Sequence, residues 1–256
     1  DLSNAVLKDL NLKNLNLSQA SLSFALFSND ALSNTDFSGA NLRYAAIVNS
    51  KITGVSFENS DLKGLYTGQL DGEPSALPTD WDFVGGYLIG PQANLTSASF
   101  DGVDFKPLHI TGTTFSYAHF LNSDLSGVDL SDSFIEDSIF INTKLSGTIL
   151  GKTSMKMVCA EGVIGIPASL PDGWVLRSGY LIGPEANLTT LDFTNMDFRN
   201  LDLAKAYLSG SNFTNANLED VDLSQSVIED VNMSNANLNN TNLTGLSLKG
   251  WIAPNV

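Results

Sequence analysis

Few residues in this 256-residue chain carry reactive chemistry, and their spacing keeps them apart. His109 and His119 are its two histidines and Cys159 its one cysteine. A zinc site needs three or four converging nitrogen or sulfur ligands, and the sequence offers no such set. A thiol with no histidine in register is expected to be buried or inert, and one cysteine excludes an internal disulfide. Carboxylates abound, with 28 Asp and Glu, but acid–base work needs burial or a close partner to shift a pKa. These carboxylates sit among Ser, Asn and Thr in positions expected to face water. No phosphate-binding Walker loop, G-x-G-x-x-G or G-x-S-x-G motif is present. The expectation is a non-enzymatic protein with no cofactor and no small-molecule substrate.

The elements that would position such residues follow an unusual period. From Leu95, every fifth residue is apolar: Phe100, Phe105, Ile110, Phe115, Phe120, Leu125, Leu130, Ile135, Phe140, Leu145, Leu150 and Met155. The same register runs from Leu2 to Leu62 and from Leu188 to Leu248, thirteen centres in each block and 39 in all. Two residues before most centres stands a small side chain, such as Ala98, Ser123 or Thr143. Neither the helical period of 3.6 nor the strand period of 2 sustains a register of five. A fixed short period marks a repeat architecture, in which no unit buries its own apolar residue and all must stack on neighbours.

The units Ala40-Asn41-Leu42-Arg43, Ala93-Asn94-Leu95-Thr96-Ser97, Val128-Asp129-Leu130-Ser131-Asp132 and Ala216-Asn217-Leu218-Glu219-Asp220 resemble the A-(D/N)-L-x-x motif of pentapeptide-repeat proteins. The resemblance covers about 195 of the 256 residues. It implies an all-β, right-handed quadrilateral parallel β-helix of about ten coils, with four pentapeptides to a square coil. It further implies that the centre and the small residue two before it point inward. Residues 20 apart then become neighbours at one strand spacing, about 4.8 Å. Phe100, Phe120 and Phe140 are expected to stack inside, and Phe193 to lie under Phe213. Outside, Asp104 falls beside Asp124 and then Lys144, and Asp202 beside Asp222 and then Asn242. Solvent is expected to screen these carboxylates, with a bridging calcium as the alternative. His109 and His119, half a coil apart, project from opposite faces, and His109 falls above Asp129 as a surface pair. The Asn or Asp before each centre is expected to serve turn and ladder hydrogen bonds.

The register breaks at residues 63–92 and 156–185, which separate repeat blocks 1–62, 93–155 and 186–248 of one solenoid; a tail, 249–256, follows. The inserts repeat each other at an offset of 93: Leu77-Pro78 and Trp81 recur as Leu170-Pro171 and Trp174, and Gly86-Tyr87-Leu88-Ile89-Gly90-Pro91 as Gly179-Tyr180-Leu181-Ile182-Gly183-Pro184. This pairing resembles inserts of secreted bacterial pentapeptide-repeat proteins. The coil is expected to continue through Leu88 and Leu181, with excursions near 71–85 and 164–178. Trp81 and Trp174 are expected to fold back as clasps; with Tyr87, Tyr180 and Trp251 they are also the candidate interaction residues. Trp251 is placed to plug the last coil, while the first coil lacks a capping segment and invites head-to-tail contact.

Charge narrows the partners. The net charge is −15, and charged residues make up only 16 % of the chain. Residues 1–62 hold six acids and four bases; residues 186–248 hold eight acids and two bases. Such a surface disfavours direct binding of nucleic acid or anionic membrane. No apolar run reaches membrane-spanning length, and no signal peptide is seen; the chain starts at Asp1, as a processed or trimmed chain would. The leading expectation is a structural or interaction scaffold at the cell surface or outside it, partnered by itself end to end or by another protein. The resemblance supplies an alternative, a cytoplasmic acidic mimic of DNA that inhibits gyrase. Against it, no helical dimerisation segment follows Leu248. A third is a glycan-binding module using Trp81 and Trp174.

Overall fold

The computed structural model describes residues 1–105, 108 and 110–252, apart from the side chain of Leu248. The expected pairing of His109 with Asp129 lies outside the described residues. The chain winds as an all-β solenoid with no helix among the described residues. Four ladders define four sides. Val6–Lys8, Leu26–Ser28, Ala46–Val48 and Tyr66–Gly68 pair in parallel along one side. Asn11, Ala31, Lys51 and Asp71 bridge in series along the next, then Asn16, Asp36, Ser56 and Ala76, then Ser21, Asn41 and Asp61. Each step is 20 residues, so a coil closes every four pentapeptides. The backbone is satisfied between coils: Leu95 N–H donates to Thr114 O at 2.7 Å and Thr114 N–H to Ala93 O at 3.0 Å. These bonds let a five-residue unit with one apolar centre stay folded.

The inward positions are those the register predicts, except that the centres Leu2 and Leu243, near the two ends of the chain, are exposed. Leu22, Phe27, Leu32 and Phe37 are fully buried, as are Leu125, Leu130 and Ile135. Phe100 stacks on Phe120 at 5.4 Å and 24°, and Phe120 on Phe140 at 4.6 Å and 11°. Phe193 meets Phe213 at 5.0 Å and 39°. Where the small inward residue is Ser or Thr, its hydroxyl donates to a carbonyl instead of being stranded. Thr148 Oγ1 reaches Leu125 O at 2.7 Å, in the preceding coil, whereas Ser226 Oγ reaches Leu223 O at 2.6 Å within its own turn.

The inserts differ from expectation in two ways. Bridges Ser56–Ala76 and Ile149–Ser169 hold the coil to 76 and 169, so the excursions begin later than 71 and 164. Each excursion is an antiparallel hairpin, Asp82–Val84 with Tyr87–Ile89 and Val175–Arg177 with Tyr180–Ile182. Two-residue turns with positive φ, Gly85-Gly86 and Ser178-Gly179, match the twist of such hairpins. Beyond each hairpin the coil resumes. Tyr66 bridges Asn94, 28 residues on, and Asn187 N–H donates to Val158 O as Asn94 N–H does to Leu65 O. Each insert therefore adds eight residues to one coil. The insert flanks close coils of their own, so the coil count differs slightly from the ten implied by the blocks alone. The 93-residue module spans four coils, those eight residues and one further side, which turns the second hairpin onto the adjacent side of the tube.

Candidate interaction surface

The surface begins with the polar residue before each centre. Its side chain accepts the N–H two residues on, as Asn94 Oδ1 does from Thr96 at 3.2 Å and Asp222 Oδ1 from Ser224 at 2.7 Å. It also joins the coil above, since Asn242 Nδ2 donates to Asp222 Oδ1 at 3.1 Å. The crowded carboxylates are handled locally. Lys144 Nζ lies 3.3 Å from Asp124, and Ala204 N–H donates to Asp202. Among the described residues no group of three His, Cys, Asp or Glu converges as a metal site would require. His119 stands exposed on the strand His119–Leu121, and burial pushes the half-buried Cys159 thiol up.

These hydrogen bonds hold several carboxyls below their ordinary range. The Arg199 side chain and backbone bring Asp197 down to about 2, and bonds from Ser38, Thr194 and Ser224 lower Asp36, Asp192 and Asp222. A depressed folded-state pKa contributes stability above the unfolded value, near 3.8 here, that is lost as pH falls through the folded value. Thermal melts followed by circular dichroism are expected to show a melting temperature that holds down to about pH 5 and falls between about pH 4 and pH 2. Loss of structure already at pH 5 would contradict this.

The insert aromatics are pinned. The Trp174 indole is buried over Gly183, where an added Cβ would lie 2.6 Å from the ring. Trp81 sits the same way over Gly90, partly buried, and packs against both halves of the core. Tyr87 packs on Phe100 at 5.0 Å and accepts from Ser99 N–H at 3.1 Å. Tyr180 repeats this on Phe193 and donates to Asp192 O at 3.4 Å. Trp81 and Trp174 lie on different sides of the tube and form no joint site. Trp251 packs partly buried on the core, and its buried Nε1 finds no partner among the described residues. Trp174 offers no free ring face to a sugar.

The exposed apolar rings lie elsewhere. Phe24 and Tyr44, 59 % and 49 % exposed, stand one coil apart on one edge of the tube and stack at 5.3 Å and 17°. Both have positive φ, 61° and 57°, at turn positions that Asn and Gly fill elsewhere in the chain. A bulky residue there is strained by about 1–3 kcal/mol. Arg43 lies 5.8 Å over the Tyr44 ring and pairs with Asp61 at 3.0 Å. Phe134, 52 % exposed, lines a cleft of about 510 Å³ with Tyr44, Lys63 and Gln92. The five-residue register had assigned Phe24, Tyr44 and Phe134 only to the outside. The signal that could have found them is an aromatic residue at an outward position otherwise held by Asn, Asp, Ser or Thr.

Comparison with known proteins supplies the family. A model described as "Pentapeptide repeats" matches eight copies over residues 20–59, 109–132, 185–215 and 216–250, just over half of the chain. Among solved structures, HetL, a pentapeptide repeat protein involved in heterocyst differentiation regulation in the cyanobacterium Nostoc sp. strain PCC 7120, is 19 % identical. The match covers 98 % of this chain and 90 % of HetL, at a TM-score of 0.30. QnrB1, a plasmid-mediated fluoroquinolone resistance protein, is 14 % identical over 95 % of this chain and 91 % of its own, at 0.27. A pentapeptide repeat protein of the Arabidopsis thaliana thylakoid lumen is 16 % identical over 54 % and 63 %, at 0.22. At these values no ligand, partner or role carries over. No curated protein matches the sequence.

Proposed function

This chain belongs to the pentapeptide-repeat family, and on that footing we propose that it is a non-enzymatic scaffold that binds another protein through the outer surface of its solenoid. One observation carries the reading. The core is complete without Phe24 and Tyr44, yet these two rings stand stacked in water on one edge, both at strained backbone positions, and Phe134 stands exposed four coils along, in the cleft that Tyr44 also lines. Exposed rings in a cluster, rimmed by polar residues, mark surfaces that other molecules cover.

The reading extends to a chain outside the cytoplasm that assembles end to end. The 93-residue super-repeat and the polar, sparsely charged surface support that extension. Negative-stain microscopy of the purified chain tests the assembly, with rods longer than one molecule expected and uniform single particles counting against it. Inhibition of gyrase supercoiling by micromolar protein would replace the scaffold with the DNA-mimic reading, which the acid-rich block 186–248 supports.

A further inference from the structure

We propose that the trough beside Tyr44 binds an extended acidic segment of a partner protein, one that carries apolar side chains among its carboxylates. This rests on the scaffold reading and specifies its partner. The trough joins two clefts, of about 510 and 420 Å³, that share Lys63 and Gln92; Phe134 stands at one end and Trp81 at the other.

Its shape and hydrogen bonding limit the occupant. Both clefts are shallow and open, unlike the concave sites that enclose small molecules. Added-strand recognition is blocked, because the local backbone is already paired: Tyr44 N–H with Lys63 O, Gly64 N–H with Gln92 O, and Asn94 N–H with Leu65 O. Recognition must therefore come from side chains.

The rings favour protein over sugar. Phe24 covers one face of Tyr44, and the Gly64 backbone underlies the other, where an added Cβ would lie 2.4 Å from the ring. Tyr44 thus presents its edge, which suits aliphatic and aromatic side chains, and not the open face on which a sugar stacks. Charge sets the rest. In a chain of net charge −15, Arg43 and Lys63 stand one coil apart on this edge, and Asp61, which pairs with Arg43 at 3.0 Å, lines the same cleft. Lys63 makes no ion pair among the described residues, so it is free to meet a carboxylate. With Arg43 matched by Asp61, the Lys63 ammonium is the charge left over in the trough, and on an acidic protein it steers an acidic segment to this place and away from the rest of the surface.

The test selects displayed random dodecapeptides on the immobilised full chain and measures their affinity for two double variants. Arg43→Glu with Lys63→Glu reverses the charge. Phe24→Asn with Tyr44→Asn removes the rings; Asn occupies the equivalent turn positions 4, 14 and 34 with positive φ, so this variant keeps the fold and its melting temperature does not fall. Selected peptides are expected to combine Asp or Glu with Leu or Phe, to bind each variant about tenfold or more weakly, and to weaken with salt. Peptides without acidic bias, or with unchanged affinity for both variants, would overturn the trough while leaving the scaffold standing. Acidic oligosaccharides that bind in place of peptides, and are lost in the same variants, would overturn the peptide occupant. Failure to select any peptide above background would overturn the scaffold and this site together.

Discussion

Replacing Phe120 by alanine is expected to cost about 3–5 kcal/mol. The ring is fully buried and stacked on both faces, by Phe100 and Phe140. Phe105 and Phe115 close in on it at 5.7 and 5.3 Å. The bonded ladders on all four sides hold the coil diameter, so the wall cannot collapse inward to fill the space. The cost is thus set at the upper end of the range for a lost aromatic ring. In a solenoid each coil is stabilised by its neighbours, so the damage should appear as early melting around residues 100–140. Denaturant titration with hydrogen exchange checks both parts. A loss below about 1 kcal/mol would mean that the ring is not part of a rigid core.

Gly183→Leu is expected to unseat Trp174 and open the second hairpin. Gly183 lacks the positive φ of the turn glycines, so backbone strain plays no part. The reason is space: an alanine methyl there would already stand 2.6 Å from the indole, and leucine adds more. Expelling a buried tryptophan costs about 3–5 kcal/mol. Emission should shift to the red, and protease should cut within residues 170–181 while the parallel ladders persist. The milder Gly183→Ala, combined with Trp174→Ala in a double-mutant cycle, should show a coupling of about 1–3 kcal/mol. Strict additivity would remove the seat from the account.

The inserts show why their sequence was only partly readable. The register predicts that Leu88 and Leu181 continue the coil, as apolar residues five before an inward alanine; both are buried as it requires, but each lies in the second strand of its hairpin, and the coil resumes only beyond it. The hairpins were not identified, although Gly85-Gly86 and Ser178-Gly179 sit where a two-residue turn belongs. Three-residue strands are too short for alternation to stand out. Which face of the tube each hairpin occupies depends on a quarter-turn accumulated over 93 residues, and no local pattern carries it.

The same division holds for the chain as a whole. A period of five repeated 39 times determined the all-β solenoid and its interior, because every unit must solve the same burial problem in the same way. The Asn and Asp before the centres likewise announced their turn bonds, which reach only two residues. Tertiary structure alone decided what lies side by side on the outside. Coiling brings Phe24 onto Tyr44, Arg43 beside Lys63, and Phe134 within reach of residues far away in sequence. Outward side chains are free of the packing constraint that makes the interior periodic, so their groupings become visible only once the coils are stacked.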